Sequence, residues 1–298
     1  RRWPHSGRVL VTNLLPDPGA PDEPCRNQVT VIDERTRSEV ERITLESANA
    51  ARNLVFTDDG AHAFVALTRP KNLVPMTQVA RGWVATNGFA VLSSAGGTPP
   101  VQLLIDLPNR AHADPYGAAL TPDGAKLYLS SAGSGTVVAV ELAALRGVVD
   151  ECRAGSIPRY SDHLGLSRRY VSARIAVGAD PRGLAVSSDG GRLYVANRLD
   201  DTLSVIDTQS DRIVSTWTLG QPAPEDKRLR GERLFHSAAR TFETQFSCAT
   251  CHPDDGLDGL RYDLEPDGIG LNLVDNRNMR CVRATAPFKW TGTNPDIE

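Results

Sequence analysis

The sequence predicts a mainly β chain built from four-stranded propeller blades, about four of them visible and part of a larger ring, followed by a small, mostly helical domain. Three observations predict it. Short runs rich in β-branched and aromatic residues recur over residues 1–220 with a period of roughly 40 residues, the spacing of a propeller blade. Asp-Gly and Asp-Thr pairs separate these runs and supply turn chemistry. From residue 221 onward the period stops and a different kind of segment, 221–298, begins.

The last repeat is the most legible. Asp180-Pro181-Arg182-Gly183-Leu184-Ala185-Val186 leads to Ser188-Asp189-Gly190, then Arg192 to Asn197, Thr202 to Asp207 and Ile213 to Gly220. These are four short strands with turns between them. One copy upstream, Asp114-Pro115-Tyr116-Gly117 precedes Thr121-Pro122-Asp123-Gly124, Lys126 to Ser130 and Thr136 to Val140. Its fourth strand, Val171 to Val177, is delayed by an insertion from about Leu145 to Arg169. A further copy begins at Ala51 to Phe56, turns at Asp58-Asp59-Gly60 and is interrupted around Pro70 to Thr86. The first copy reads Val9 to Asn13, Gln28 to Asp33 and Glu39 to Leu45, and lacks a first strand. Four blades leave apolar flanks that need neighbours, so the expectation is that residues upstream of Arg1, or else another chain, complete the ring.

Gln221, Pro222, Pro224, Glu225 and Asp226 read as a polar linker with helix-start character. Lys227 to Arg240 then reads as an amphipathic helix with Leu229, Leu234 and Phe235 inward. The stretch Cys248-Ala249-Thr250-Cys251-His252 has the C-x-x-C-H form through which one haem c is attached. Each sulfur adds to one vinyl group and the adjacent histidine becomes the proximal iron ligand. A thioredoxin-like pair would need a surrounding βαβ pattern, and a zinc site a second C-x-x-C or H-x-x-x-H.

The chain has 298 residues, 40% hydrophobic and 23% charged, with a net charge of -3. That composition describes an ordinary globular protein and gives no electrostatic case for nucleic acid or an anionic membrane surface. No apolar run approaches the roughly 20 residues of a membrane span. Haem c attachment takes place outside the cytoplasm, so a periplasmic or extracellular location is expected, with export and cleavage already complete or the chain a fragment. Cys25, Cys152 and Cys281 remain. At most one disulfide forms among them, and Cys25 with Cys152 is one pairing the compartment would permit.

Leu193-Tyr194-Val195-Ala196-Asn197 followed by Ser204-Val205-Ile206-Asp207 resembles the YVTN-type β-propeller repeat, whose rings usually hold about seven blades. Gly231-x-x-Leu234-Phe235 resembles the first helix of cytochrome c domains. Ser247 to Leu260, with Asp267-Gly268-Ile269-Gly270 and Thr285 to Gly292 around Pro287-Phe288-Lys289-Trp290, is similar to haem domains of the bacterial di-haem cytochrome c peroxidase and methylamine-utilisation families, in the branch fused to YVTN propellers. Peroxidases of that family carry two haems, whereas this chain has one C-x-x-C-H.

The sixth iron position separates electron transfer from peroxide chemistry. Met279, in the run Asn276-Arg277-Asn278-Met279, is the first candidate for it, with a gap-filling core methionine as the alternative role. His236, Tyr262 and His112 are weaker candidates, and His5, His62 and His163 read as structural or solvated. Asp254, Asp255 and Asp258 with Gly256 and Gly259 raise calcium, although Asp-Gly pairs make turns without metal. Trp217 and Trp290 suit either an electron path or a core.

The favoured reading is an exported c-type cytochrome passing single electrons through a haem held by Cys248, Cys251, His252 and Met279. In it the propeller is a docking platform for a redox partner protein, a second haem domain or another subunit, and its two insertions are the expected contacts. The enzyme-class alternative is a portion of a di-haem peroxidase-like oxidoreductase. A third reading, a lactonase-like propeller, lacks a convergent His/Asp/Glu group.

Overall fold

Alternation with period two builds four antiparallel sheets, each pairing its strands in chain order. The computed structural model describes residues 1–17, 19, 23–220, 226–264, 272–287 and 293–295. Blade 1 is β1 (Arg2–Trp3), β2 (Arg8–Thr12), β3 (Arg26–Asp33) and β4 (Glu39–Glu46). Blade 2 is β5 (Leu54–Phe56), β6 (His62–Pro70), β7 (Ala85–Ser93) and β8 (Val101–Leu104). Blade 3 is β9 (Pro115–Leu120), β10 (Lys126–Ser131), β11 (Thr136–Glu141) and β12 (Val171–Ala176), and blade 4 is β13 (Pro181–Val186), β14 (Arg192–Asn197), β15 (Thr202–Asp207) and β16 (Arg212–Thr218). The fold is mainly β, with four-stranded sheets arranged as propeller blades.

Each sheet sends alternate side chains to opposite neighbours. On β6, Ala63, Val65 and Leu67 join Trp3, Leu10 and Val29 in a core between blades 1 and 2. The residues between them, Phe64 and Ala66, join Leu127, Leu129 and Val138 of blade 3. On β10 and β11, Tyr128, Val137 and Ala139 turn to Leu193, Val195 and Ile206 of blade 4. Three inter-blade cores therefore arise from one alternating pattern.

The first blade has the first strand that the sequence pattern does not reveal: Arg2 and Trp3 pair with Val9 and Arg8. Trp3 Nε1 donates to Gly60 O at 2.7 Å, tying that short strand to blade 2. The insertion in blade 2 holds a 3-10 turn, Met76–Arg81, and that of blade 3 holds α1 (Leu142–Arg153) and two further 3-10 turns. Cys152 lies on α1 in the core between blades 2 and 3, whereas Cys25 packs with Leu260 and Tyr262. Both thiols are free, so a disulfide between them is not formed.

The segment after the blades departs from expectation. The expected helix forms only over α2 (Lys227–Phe235), with Asp226 capping it by accepting from Leu229 N at 2.8 Å. None of its side chains is fully buried, and Leu234, expected inward, is 46% exposed. Beyond α2 lie the four-residue α3 (Cys248–Cys251), isolated 3-10 turns, and a two-stranded ribbon of β17 (Arg261–Asp263) and β18 (Leu273–Asp275). The expected small, mostly helical cytochrome domain is thus not formed among the described residues. Helices of one or two turns have no apolar stripe long enough to build a core of their own. The linker at 221–225, the Asp267 to Gly270 run and Phe288 to Gly292, including Trp290, lie outside the described residues.

Candidate functional site

The region from α2 to β17 forms a strap across one face of the blades, the face carrying the loops into each first strand and those between second and third strands. On blade 4, Glu232 pairs with Arg198 at 2.7 Å and Arg233 with Asp200 at 3.1 Å. On blade 3, Ala238 N donates to Gly133 O at 2.8 Å, and Thr244 Oγ1 donates to Ala111 O at 2.9 Å. On blade 2, Gln245 Oε1 accepts from Val84 N at 2.8 Å, while Asn87 Nδ2 donates to Gln245 O at 3.2 Å. Asn49 Nδ2 reaches Asp258 O at 3.0 Å and Asn72 Nδ2 reaches Arg261 O at 2.9 Å. At the blade 1 end, Gly259 has φ +76° and lies so close that an added Cβ would meet Pro16 Cδ at 2.9 Å.

The pentapeptide sits within this strap. Ser247 caps α3 through a box with Thr250, and both hydroxyls also donate to one buried carboxylate, Asp114, at 2.6 and 2.5 Å. Asp114 leads into β9 at φ +57°, the position held by Ala50 and Asp180 before the first strands of blades 2 and 4. Two residues further on, Arg52, Tyr116 and Arg182 occupy equivalent places. The two guanidinium groups lie 4.7 Å from the Tyr116 ring centroid, and Arg182 also pairs with Asp180 and with Asp254 of the strap.

Cys248 is exposed and Cys251 half-buried. Burial, followed by the Asp258 carboxylate, pushes the Cys251 thiol up to about 12. His252 Nδ1 lies 3.3 Å from Gly256 O, and a ring that donates there carries its free lone pair on Nε2. Two thiols one turn apart and an imidazole held at one nitrogen are chemically suited to covalent haem attachment. The Met279 loop folds back beside them: Met279 N donates to Asp255 O at 2.9 Å, and Asn276 donates to Cys251 O. The structure thus brings Cys248, Cys251, His252 and the Met279 segment together.

The other nominated residues take ordinary roles. Tyr262 is buried, donates to Asp258 Oδ2 at 2.5 Å and receives Cys251 Sγ at 3.4 Å. His236 ends α2 and packs edge-on to Phe235, with burial lowering its pKa. His112 is buried, with Nδ1 3.1 Å from Thr136 Oγ1. Asp254, Asp255 and Asp258 do not converge as calcium ligands. Asp254 faces Arg182, whereas Asp258 is buried against Tyr262 and Asn276. Among the described residues no group of three or more His, Cys, Asp or Glu side chains could hold a metal ion.

Sequence reasoning misses Asp114, Asn87 and Gln245, which fix the strap. The one signal available is the Asp-Pro pair repeated at Asp114 and Asp180.

No family model matches the chain. A curated relative, hydrazine synthase subunit beta of Kuenenia stuttgartiensis, is 30% identical over 183 residues, covering 61% of this chain and 47% of the relative. The chain therefore spans about half the length of the curated relative it matches. The solved Kuenenia stuttgartiensis hydrazine synthase superposes with a TM-score of 0.63 at 28% identity, over 69% of this chain and 56% of that one. The periplasmic gluconolactonase PpgL of Pseudomonas aeruginosa gives 0.50 at 19% identity, over 75% and 57%, a likeness of fold alone. These likenesses support the propeller-type fold.

They also correct the functional expectation. The curated relative is a synthase subunit, and no family model of a cytochrome domain or a peroxidase matches the chain. The one-electron cytochrome and the di-haem peroxidase readings are overturned, and among the described residues no cluster of His, Cys, Asp or Glu supports the bound metal ion expected with them. The physical source of the error is context. Taken locally, C-x-x-C-H reads as the centre of a helical haem domain, whereas here it is one turn in a strap hydrogen-bonded to propeller loops.

Proposed function

We propose that this chain is the propeller part of a beta-type subunit in a hydrazine-synthase-like assembly, where it acts as a binding scaffold for other chains. The observation that carries the reading is the match of 183 residues at 30% identity to a protein named as a synthase subunit. The exposed apolar side chains on the end blades, Val11 and Val40 on blade 1 and Trp217 and Leu219 beside blade 4, support it, because such flanks are covered in assembled proteins. No helix among the described residues is long and apolar enough to cross a membrane, and the subunit is proposed to work after export.

The test is light scattering and peptide mapping of the protein purified from its own cells. The expected particle is heavier than the chain and contains a different polypeptide at fixed stoichiometry. A lone chain at every concentration overturns the assignment.

Covalent haem is a separate proposal about composition, from which no electron-transfer role is drawn. Cys248 and Cys251 would hold the porphyrin, His252 and Met279 would be the residues available to bind its iron, and the group would supply an iron whose reactivity depends on the residues bound to it. Intact mass after export in a host with the attachment machinery should show one added haem, lost in Cys248→Ala. An unchanged mass removes the proposal.

A further inference from the structure

Away from the strap, the insertion in blade 3 creates a cavity that the blade repeat by itself does not contain. α1 stands against the face of blade 2, and a hollow of about 230 Å³ lies between them. Its floor is apolar: Phe64 and Val91, cross-strand partners on β6 and β7, with Leu142, Leu145 and Val149 of the helix. Its rim is polar, with His62 and Thr57 on the blade side and Arg146, Asp150 and Arg153 on the helix side.

Helical geometry explains the division. Positions 142, 145, 149 and 146, 150, 153 share one stripe, with the apolar members inward and the charged members at its edge. Arg146 and Arg153 stand about 10 Å apart along the axis, two turns on the same side. Neither makes an ion pair within 4.0 Å among the described residues, and His62 N donates to Thr57 Oγ1 at 3.0 Å. On the blade side, Asp59 is engaged by Thr57 Oγ1 at 2.6 Å and Ala61 N at 2.9 Å. The lining thus holds two arginines and one acid, Asp150, and the Asp59 carboxylate acts on Arg146 and His62 from the turn between β5 and β6. Burial lowers the His62 pKa, which keeps that ring neutral and free to donate one hydrogen bond.

We propose that this cavity binds a small monocarboxylate with a flat apolar body, its ring or chain on the Phe64 and Leu145 floor and its carboxylate between Arg146 and Arg153. The volume admits a body the size of one aromatic ring, and a planar guanidinium matches a carboxylate in two-point contact. Asp150 opposes the ligand charge and limits the affinity.

Benzoate is the probe, titrated at pH 7 into the full chain and followed by NMR at the His62 ring and by calorimetry. Saturable binding that shifts the His62 signals is expected. Arg146→Gln and Arg153→Gln, both on the exposed side of α1, should each weaken it about tenfold, and benzyl alcohol should bind about tenfold less tightly than benzoate. Asp150→Asn should strengthen it about threefold, by removing a like charge. No saturable shift at His62, equal affinity in the double arginine variant, or equal affinity for benzyl alcohol overturns the proposal.

Discussion

Blades 2 and 3 and the strap are held by different physics. The blades share a continuous apolar core in which Phe89 lies between Phe64 and Tyr170, at centroid distances of 6.3 and 6.2 Å. The strap has a small cluster of Leu260 and Tyr262, and it borrows Cys25 from the loop before β3 to complete even that. Its position comes instead from hydrogen bonds to loop atoms of the blades. A core is cooperative, because removing one large side chain weakens the packing of every neighbour. A line of hydrogen bonds is local, because each bond adds about 1 kcal/mol of its own. The blades should therefore fold without the strap, and the strap should not order without the blades.

The largest effect is expected at the centre of that core. Phe89→Ala should cost about 3–5 kcal/mol and lower the unfolding midpoint for blades and strap together, read by circular dichroism and by exchange at strap amides. A variant in which the blades melt while the strap stays protected would break the comparison.

Asp114→Ala tests the other half. It leaves the Ser247 and Thr250 hydroxyls without their shared acceptor and places alanine at φ +57°. The cost should be about 2–3 kcal/mol and confined to the strap. Hydrogen exchange at residues 245–252 should accelerate while the amides of β10 and β11 stay unchanged. Global destabilisation instead would mean that the strap is part of the propeller core.

The same contrast explains what the sequence makes legible. Val186, Leu193, Val195 and Ile206 announce blade 4 because alternation and turn chemistry act over a few residues, and β13 to β16 lie where that pattern puts them. Arg2–Trp3 escapes because two residues carry no period. The strap escapes for a deeper reason. Its partners lie far apart in the chain, Thr250 with Asp114 and Asp258 with Asn49, and nothing local in either member of such a pair points to the other. The pentapeptide is visible for the chemistry of its side chains, but its setting is not, which is how a turn on a propeller reads as the centre of a cytochrome.

A titration separates buried groups inside the blade network. His112 is 1% exposed and its Nε2 has no hydrogen-bond partner among the described residues, and burial, then Arg174 and Arg110, lowers its pKa to about 3. The unfolded chain binds a proton near pH 6.5 that the native state refuses, so this residue contributes stability that is lost as pH falls from about 6.5 toward 3. The slope should approach about 1.4 kcal/mol per pH unit. Asp106, whose Oδ1 accepts from His112 N at 2.7 Å, acts in the opposite sense: burial raises it to about 7, so its contribution diminishes stability as pH rises from about 4 to 7. Only the difference between the native chain and His112→Gln isolates the histidine. Parallel stability profiles for the two from pH 7 to pH 5 would show that His112 takes up its proton in the folded state.

The smallest effect is expected at the blade 4 flank, and there the context of measurement matters more than the substitution. Trp217 is 50% exposed on β16 and leans on Tyr194 at 5.9 Å, on the face turned away from the core that blade 4 shares with blade 3. In the isolated chain, Trp217→Ser should cost less than about 1 kcal/mol, since water already covers half of the ring. If a neighbouring sheet or subunit covers that flank in the assembled particle, the same substitution removes a buried aromatic and should cost about 3 kcal/mol or more. Unfolding midpoints measured on the isolated chain and on the particle from native cells give the two values. Equal values in both would leave the flank as solvent-facing surface and remove it as a site where other chains dock.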